Sequence, residues 1–287
     1  MMKTDVKRRR LHRTLLDMRR DWWLYVMLVP GLLYITIFKY VPMYGITIAF
    51  KNYSVFKGYM ASPWVGLEIF EKLFSKSAFI SALQNNIIIS LQKLIFGFPT
   101  PIILSLMINE LRRPLLKKGI QTAIILPNFI SWIVINGLLY AIFSTRSGAL
   151  TGLLRSLGVQ NVPDVMADKE HFRLVILLSY LWRSGGYGTI IYLSAIAGID
   201  QSLYEVSYLN GATSWQRFRY VTFPLLSPTI LFVMITEVIF SFQIFDPIYI
   251  MTKGGPAGAT RTIGYYIYSN AFKRFDFGYA AALSTAL

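Results

Sequence analysis

Long apolar runs recur along the chain, separated by short polar and basic stretches, and this alternation predicts a bundle of membrane helices. A hydrocarbon core about 30 Å thick takes about 20 apolar residues of helix to cross. Five segments meet that length: Trp22 to Phe50, Phe79 to Ile108, Gly119 to Phe143, Phe172 to Gly198 and Pro224 to Met251. A sixth apolar run opens at Phe277-Gly278-Tyr279-Ala280-Ala281-Ala282 and stops at Leu287, so the last helix is expected to be truncated. The fold class is all-α and integral to the membrane. The generous lengths imply tilt or kinks, with Pro30, Pro42, Pro99 and Pro101 as their causes.

Basic residues set the orientation. Lys7, Arg8, Arg9, Arg10, Arg13, Arg19 and Arg20 precede the first span, and Arg112, Arg113, Lys117 and Lys118 follow the second. Cytoplasmic flanks carry such an excess, which places the N-terminus inside. Segments 51–77, 144–171 and 252–262 then face outward, and the segment before Pro224 faces inward. The expected organisation is a basic cytoplasmic arm, 1–21, and a transmembrane domain, 22–287, with a cytoplasmic loop at 199–224.

Composition agrees: 54% of the 287 residues are hydrophobic and the mean hydropathy is +0.48. The net charge of +15 comes from residues clustered at membrane flanks, which is positive-inside topology rather than a nucleic-acid surface. With no cysteine and only His12 and His171 as imidazoles, no metal constellation is read. No Gly-x-x-x-x-Gly-Lys-Ser/Thr phosphate loop occurs; Gly254-Gly255-Pro256-Ala257-Gly258 lacks the lysine and reads as a turn.

The inward loop has its own pattern. Glu205-Val206-Ser207 is followed after three residues by Gly211, and after nine more by Val221-Thr222-Phe223-Pro224. Ser202 to Tyr208 is expected to form a short helix and Gly211 to permit a turn at positive φ. Ala212 to Tyr220 forms a second helical stretch, and Pro224 opens the next membrane helix.

That spacing resembles the E-A-A-x3-G-x9-I-x-L-P signature of permease subunits of bacterial ATP-binding-cassette importers, with Val206, Ser207, Val221 and Phe223 as departures. Further blocks are similar to the polysaccharide and oligosaccharide branch of the carbohydrate importers, distantly like the maltose transporter's permeases. They are Phe38 to Gly45, Ala49 to Tyr53, Ser62 to Gly66, Asn109-Glu110, Leu126 to Trp132 and Ile190 to Ile196. The resemblance implies a six-helix type I importer permease in the bacterial cytoplasmic membrane. It implies as partners a second homologous permease, two cytoplasmic ATPases holding ATP and Mg, and an extracytoplasmic solute-binding protein. The chain itself would be no enzyme and would bind no cofactor. Glu205, Gly211 and Pro224 would couple ATP hydrolysis to transport.

Polar groups inside the spans are the candidate substrate pathway. Counting along the helices puts Lys93, Arg183 and Glu237 near mid-bilayer, where ionisable groups face partners or water. Glu237 can pair with Arg183 and hold two helices together, leaving Lys93 over, or all three can face substrate. Sugars call for directed hydrogen-bonding groups and aromatic faces. Asn128, Ser131 and Trp132 at i, i+3 and i+4 share a face of the third span, and Asn136 continues it. Tyr187, Gln243 and Asp246 complete the set. The same Asn and Ser residues can equally serve as interhelical glue. Two cations against one anion tilt the substrate toward acidic oligosaccharides such as alginate or pectin fragments, with neutral oligosaccharides as the alternative. A secondary transporter or channel is the rival function; no inverted repeat supports it. A membrane enzyme lacks any catalytic pairing.

Overall fold

The structure is a computed structural model describing residues 20–287 except 160, 163, 167, 169 and 170. The basic arm therefore lies outside the described residues apart from Arg20 and Asp21. Among the described residues all regular elements are helical. We number them α1 (Trp22–Phe50), α2 (Glu68–Ser75), α3 (Ser77–Asn109), α4 (Pro114–Phe129), α5 (Trp132–Phe143), α6 (Ala149–Ser156), α7 (Phe172–Ala197), α8 (Gln201–Leu209), α9 (Ser214–Phe242), α10 (Ile263–Tyr268) and α11 (Phe277–Ala286).

Among the described residues, α1, α3 and α9 are each long and apolar enough to cross a membrane. The pair α4 and α5 passes only together, because the chain bends by 100° between them. The fourth expected span, α7, has 26 residues but dilutes its apolar content with Arg173, Ser179, Arg183, Ser184 and three glycines. It is also richly buried, with ten buried residues that include Ser179, Gly185, Gly186 and Thr189. Its small residues let neighbouring helices approach closely on that face, while Leu174, Leu178 and Trp182 on α7 stay exposed.

The fifth span is shifted from its expected position. The sequence reading starts it at Pro224 and runs it to Met251, whereas the helix begins at Ser214 and ends at Phe242. Pro224 therefore sits inside a continuous helix. The five residues before Phe223, Phe218–Thr222, widen into a π turn, in which the Phe223 N–H reaches the Phe218 carbonyl. Proline has no N–H and its ring crowds the carbonyl four residues back, so a wide turn just upstream lets the helix pass through it. The same arrangement occurs twice more: Thr36–Tyr40 precedes Pro42, and Lys93–Gly97 precedes Pro99. Proline thus marks the π turns of three long helices without ending them.

The described residues divide into two compact units, residues 20–73 with 270–287, and residues 74–269. In the first, α11 packs on the last turns of α1, Tyr44–Phe50. The contact is close: a Cβ on Gly278 would stand 3.1 Å from the Lys51 carbonyl. Lys51 itself is buried, donates to the Tyr59 carbonyl at 2.9 Å and lies 3.9 Å from the Tyr59 ring centroid. Within Trp22–Ile35 no residue is buried.

In the second unit α7 is central, packed on the second half of α3, on α4 and on α9. One face of α3 is polar and donates mainly to backbone carbonyls. Asn85 donates to the carbonyls of Gly258 (2.8 Å) and Arg261 (3.2 Å) and accepts from the Arg173 guanidinium (2.6 Å). Asn86 and Ser90 donate to the Phe242 and Ser241 carbonyls, where α9 ends. Asn86 and Ser90 thus supply donors to carbonyls at the end of α9, and Asn85 does the same for the Gly258–Arg261 turn, as buried carbonyls require. Replacing Asn85 with Leu should therefore cost about 1–3 kcal/mol, because the Arg261 carbonyl loses its donor while Gly258 and Arg173 keep other partners. Thermal unfolding of the purified complex checks this; an unchanged melting temperature contradicts it.

Candidate functional site: a membrane cleft and a cytoplasmic elbow

A cleft of about 310 Å³ opens among α3, α4, α7 and α9. Phe98, Tyr180, Tyr187 and Phe240 give it aromatic walls, and Asn128 and Glu237 give it polar groups. Glu237 is held in place: the Tyr180 hydroxyl donates to its Oε1. The Lys93 ammonium, on a buried side chain, lies 4.3 Å from the centroid of the Tyr180 ring. Lys93 and Glu237 therefore both meet one tyrosine, the first at its ring and the second at its hydroxyl.

Of the two alternatives open for Glu237, the pair with Arg183 is not formed among the described residues. Arg183 donates from Nε to the Ile130 carbonyl at 3.0 Å, and its guanidinium lies 5.0 Å from the centre of the Trp132 ring. The reason is the break between α4 and α5. Ile130 and Ser131 both adopt extended backbone, so the carbonyl of Ile130 is released from any helical ladder and accepts a charged donor instead. Such a bond contributes about 1.5–3 kcal/mol.

The same break undoes the proposed face of the third span. Asn128 ends the first limb in a 3₁₀ turn and lines the cleft, while Ser131 caps α5, accepting from the Val134 N–H at 3.4 Å. Trp132 lies under Arg183 and packs on the apolar core around Ile89, Phe172 and Ile248. Asn136 is one turn further on, its side-chain oxygen buried without a hydrogen-bond partner. A continuous i, i+3, i+4 stripe requires an unbroken helix, and the chain turns at 130–131. Gln243 and Asp246 are exposed, beyond the end of α9, and are not among the residues lining the cleft. The cleft thus gathers Asn128, Tyr187 and Glu237 from the ten candidates. Tyr180 was missed, because a lone tyrosine in an apolar helix gives no signal until its partners are known.

The second feature is the elbow before α9. Asp200 caps α8, accepting the Ser202 N–H at 2.9 Å, and these hydrogen bonds hold its carboxyl below the usual carboxylate range. Gly211 follows α8 with φ of +70°, the left-handed conformation that side chains resist. The Ala212 N–H closes back on the Ser207 carbonyl at 3.0 Å. Thr213 and Gln216 then form a reciprocal capping box that starts α9. The Tyr204 hydroxyl meets Thr222 Oγ1 at 3.0 Å, tying α8 to the π turn before Pro224. Glu205 is exposed, as are the apolar side chains of Leu203, Val206, Tyr208 and Leu209. Together these apolar side chains form an exposed patch on a short helix.

Comparison with known proteins agrees with this geometry. Residues 97–287 match the family described as binding-protein-dependent transport system inner membrane component. The chain is 34% identical to Protein LplB of Bacillus subtilis (strain 168) over 93% of its length and 84% of the relative's. It is 32% identical to the polygalacturonan/rhamnogalacturonan transport system permease protein YteP of the same organism, covering 96% and 86%. A crystal structure of a bacterial ABC transporter involved in the import of the acidic polysaccharide alginate contains a similar chain, with a TM-score of 0.86 and 33% identity over 96% of this chain and 92% of that one. The chain therefore belongs to the binding-protein-dependent transport system inner membrane components, and is a permease subunit of an ATP-binding-cassette importer rather than an enzyme.

Proposed function

We propose that this chain is the translocating subunit of an oligosaccharide importer that carries acidic chains. The observation that carries the coupling part is the left-handed elbow at Gly211, which presents the exposed α8 beside the start of α9. In this reading the N-terminus and the loop 199–224 are cytoplasmic, within a permease domain spanning 22–287. Glu205, Gly211 and Pro224 transmit the closure of two ATPases that hold ATP and Mg. A second permease completes the pathway, and a solute-binding protein delivers the sugar on the outer side.

For the substrate, support comes from the relatives named for polygalacturonan and rhamnogalacturonan and for alginate. The charge count supports it too, with a change of residue. Glu237 and Lys93 offset each other through Tyr180, which leaves Arg183 as the cation without an acidic partner among the described contacts. One observation favours a neutral sugar instead: Glu237 lines the cleft, and neither Arg183 nor Lys93 does.

The test is uptake of trigalacturonate and of maltotriose by vesicles holding the complete complex, with Arg183→Gln beside wild type. Faster ATP-dependent uptake of trigalacturonate, lost selectively in Arg183→Gln, is expected. A preference for maltotriose unaffected by Arg183→Gln favours the neutral reading. Proton-driven, ATP-independent uptake by this subunit alone overturns the importer mechanism.

A further inference from the structure

We infer that Tyr180 is a positioning residue that holds Glu237 as the acceptor for sugar hydroxyl groups in the cleft. The inference rests on the oligosaccharide reading but not on the charge of the sugar.

Glu237 and Tyr180 both line the cleft, and the Tyr180 hydroxyl occupies one carboxylate oxygen. An ionised carboxylate offers about four acceptor positions, so most remain for a ligand. Lys93 lies against the same tyrosine ring but is not part of the cleft wall. Its charge can therefore offset that of Glu237 without entering the space a ligand would fill. A lone carboxylate in an apolar wall is costly, and a donating hydroxyl with a nearby ammonium offsets part of that cost. The ligand chemistry that fits is a donor pair of vicinal hydroxyls on a pyranose ring, beside aromatic walls suited to its C–H faces. Three helices supply the three groups: Lys93 from α3, Tyr180 from α7 and Glu237 from α9. The carboxylate's aim therefore depends on how these helices meet.

Tyr180→Phe separates positioning from packing, because it keeps the ring beneath Lys93 and removes only the hydroxyl. Glu237→Gln keeps the shape of the acceptor and removes its charge. The complete complex in vesicles, with unaltered binding protein in every arm, is assayed with trigalacturonate, maltotriose and the O-methylated form of each. Because the binding protein is constant, a change in the ratio of parent to methylated uptake belongs to the permease. The ratio for the transported sugar is expected to fall about tenfold in both variants, the scale of one hydrogen bond to a charged group. If Tyr180→Phe slows parent and methylated sugars equally and leaves the ratio at its wild-type value, Tyr180 only packs helices and the inference is overturned. The same holds if Glu237→Gln alone changes the ratio. A wild-type complex that takes up neither parent sugar overturns the oligosaccharide reading, and this inference with it.

Discussion

Gly186→Ala should abolish assembly of a stable permease. A Cβ at that position would lie 1.8 Å from the Ile124 carbonyl oxygen and 2.4 Å from its carbon, both backbone atoms of α4. No rotamer change relieves a clash with backbone, so α7 and α4 must separate. Overpacking ordinarily costs about 1–3 kcal/mol, and a clash that moves a whole helix exceeds that range, to more than about 3 kcal/mol. The neighbours provide internal controls. At Gly185 the nearest atom to an added methyl is the Thr100 methyl carbon at 3.6 Å, and at Gly137 nothing lies within 4 Å. The expected order of melting temperatures in the purified complex is Gly137→Ala near wild type, Gly185→Ala slightly lower, and Gly186→Ala far below both or not recoverable. Equal stability of Gly186→Ala and Gly137→Ala contradicts the close approach of α7 to α4.

Glu205→Ala should lower uptake by about tenfold or more while leaving the fold intact, the scale of an ordinary coupling free energy of about 1–3 kcal/mol. Its side chain is exposed and has no hydrogen bond among the described contacts, so its removal leaves no buried group unpaired. The expected result in vesicles is ATP hydrolysis that continues but no longer responds to sugar-loaded binding protein. Gly211→Val acts on the same elbow through the backbone: φ of +70° is costly for a β-branched residue, by about 1–2 kcal/mol, although nothing lies within 4 Å of the new Cβ. Gly211→Asn, which tolerates that conformation, should retain most uptake. Wild-type coupling in Glu205→Ala, with the Gly211 variants equal to one another, would remove this loop from the transmission of ATP hydrolysis.

How far the sequence reaches differs between the two features. The elbow was legible because its parts are local. The short helix from Ser202, the glycine turn at Gly211 and the helical stretch after it each rest on neighbours within a few residues, whereas the Asp200 cap and the Thr213–Gln216 box came only with the structure. The cleft was only partly legible, because its groups come from four helices and meet by packing. Glu237 was singled out by its cost in an apolar helix, but its partner was not, since Arg183 and Tyr180 lie on the same helix three residues apart.

By itself the sequence determined that this is a helical membrane protein, where most of its spans lie, and that a glycine elbow precedes Pro224. Those properties follow from hydrophobic length and local backbone preference, which neighbours in space hardly alter. Only the tertiary structure decided that Pro224 lies within a helix begun at Ser214, and that the chain bends by 100° between Phe129 and Trp132. It also decided that Arg183 serves a freed carbonyl while Lys93 and Glu237 share a tyrosine. The choices made by Arg183, Lys93 and Glu237 depend on whether a side-chain group finds its partner on another helix. In a low-dielectric interior that choice is set by which groups come within hydrogen-bond reach, and separation along the chain does not encode it.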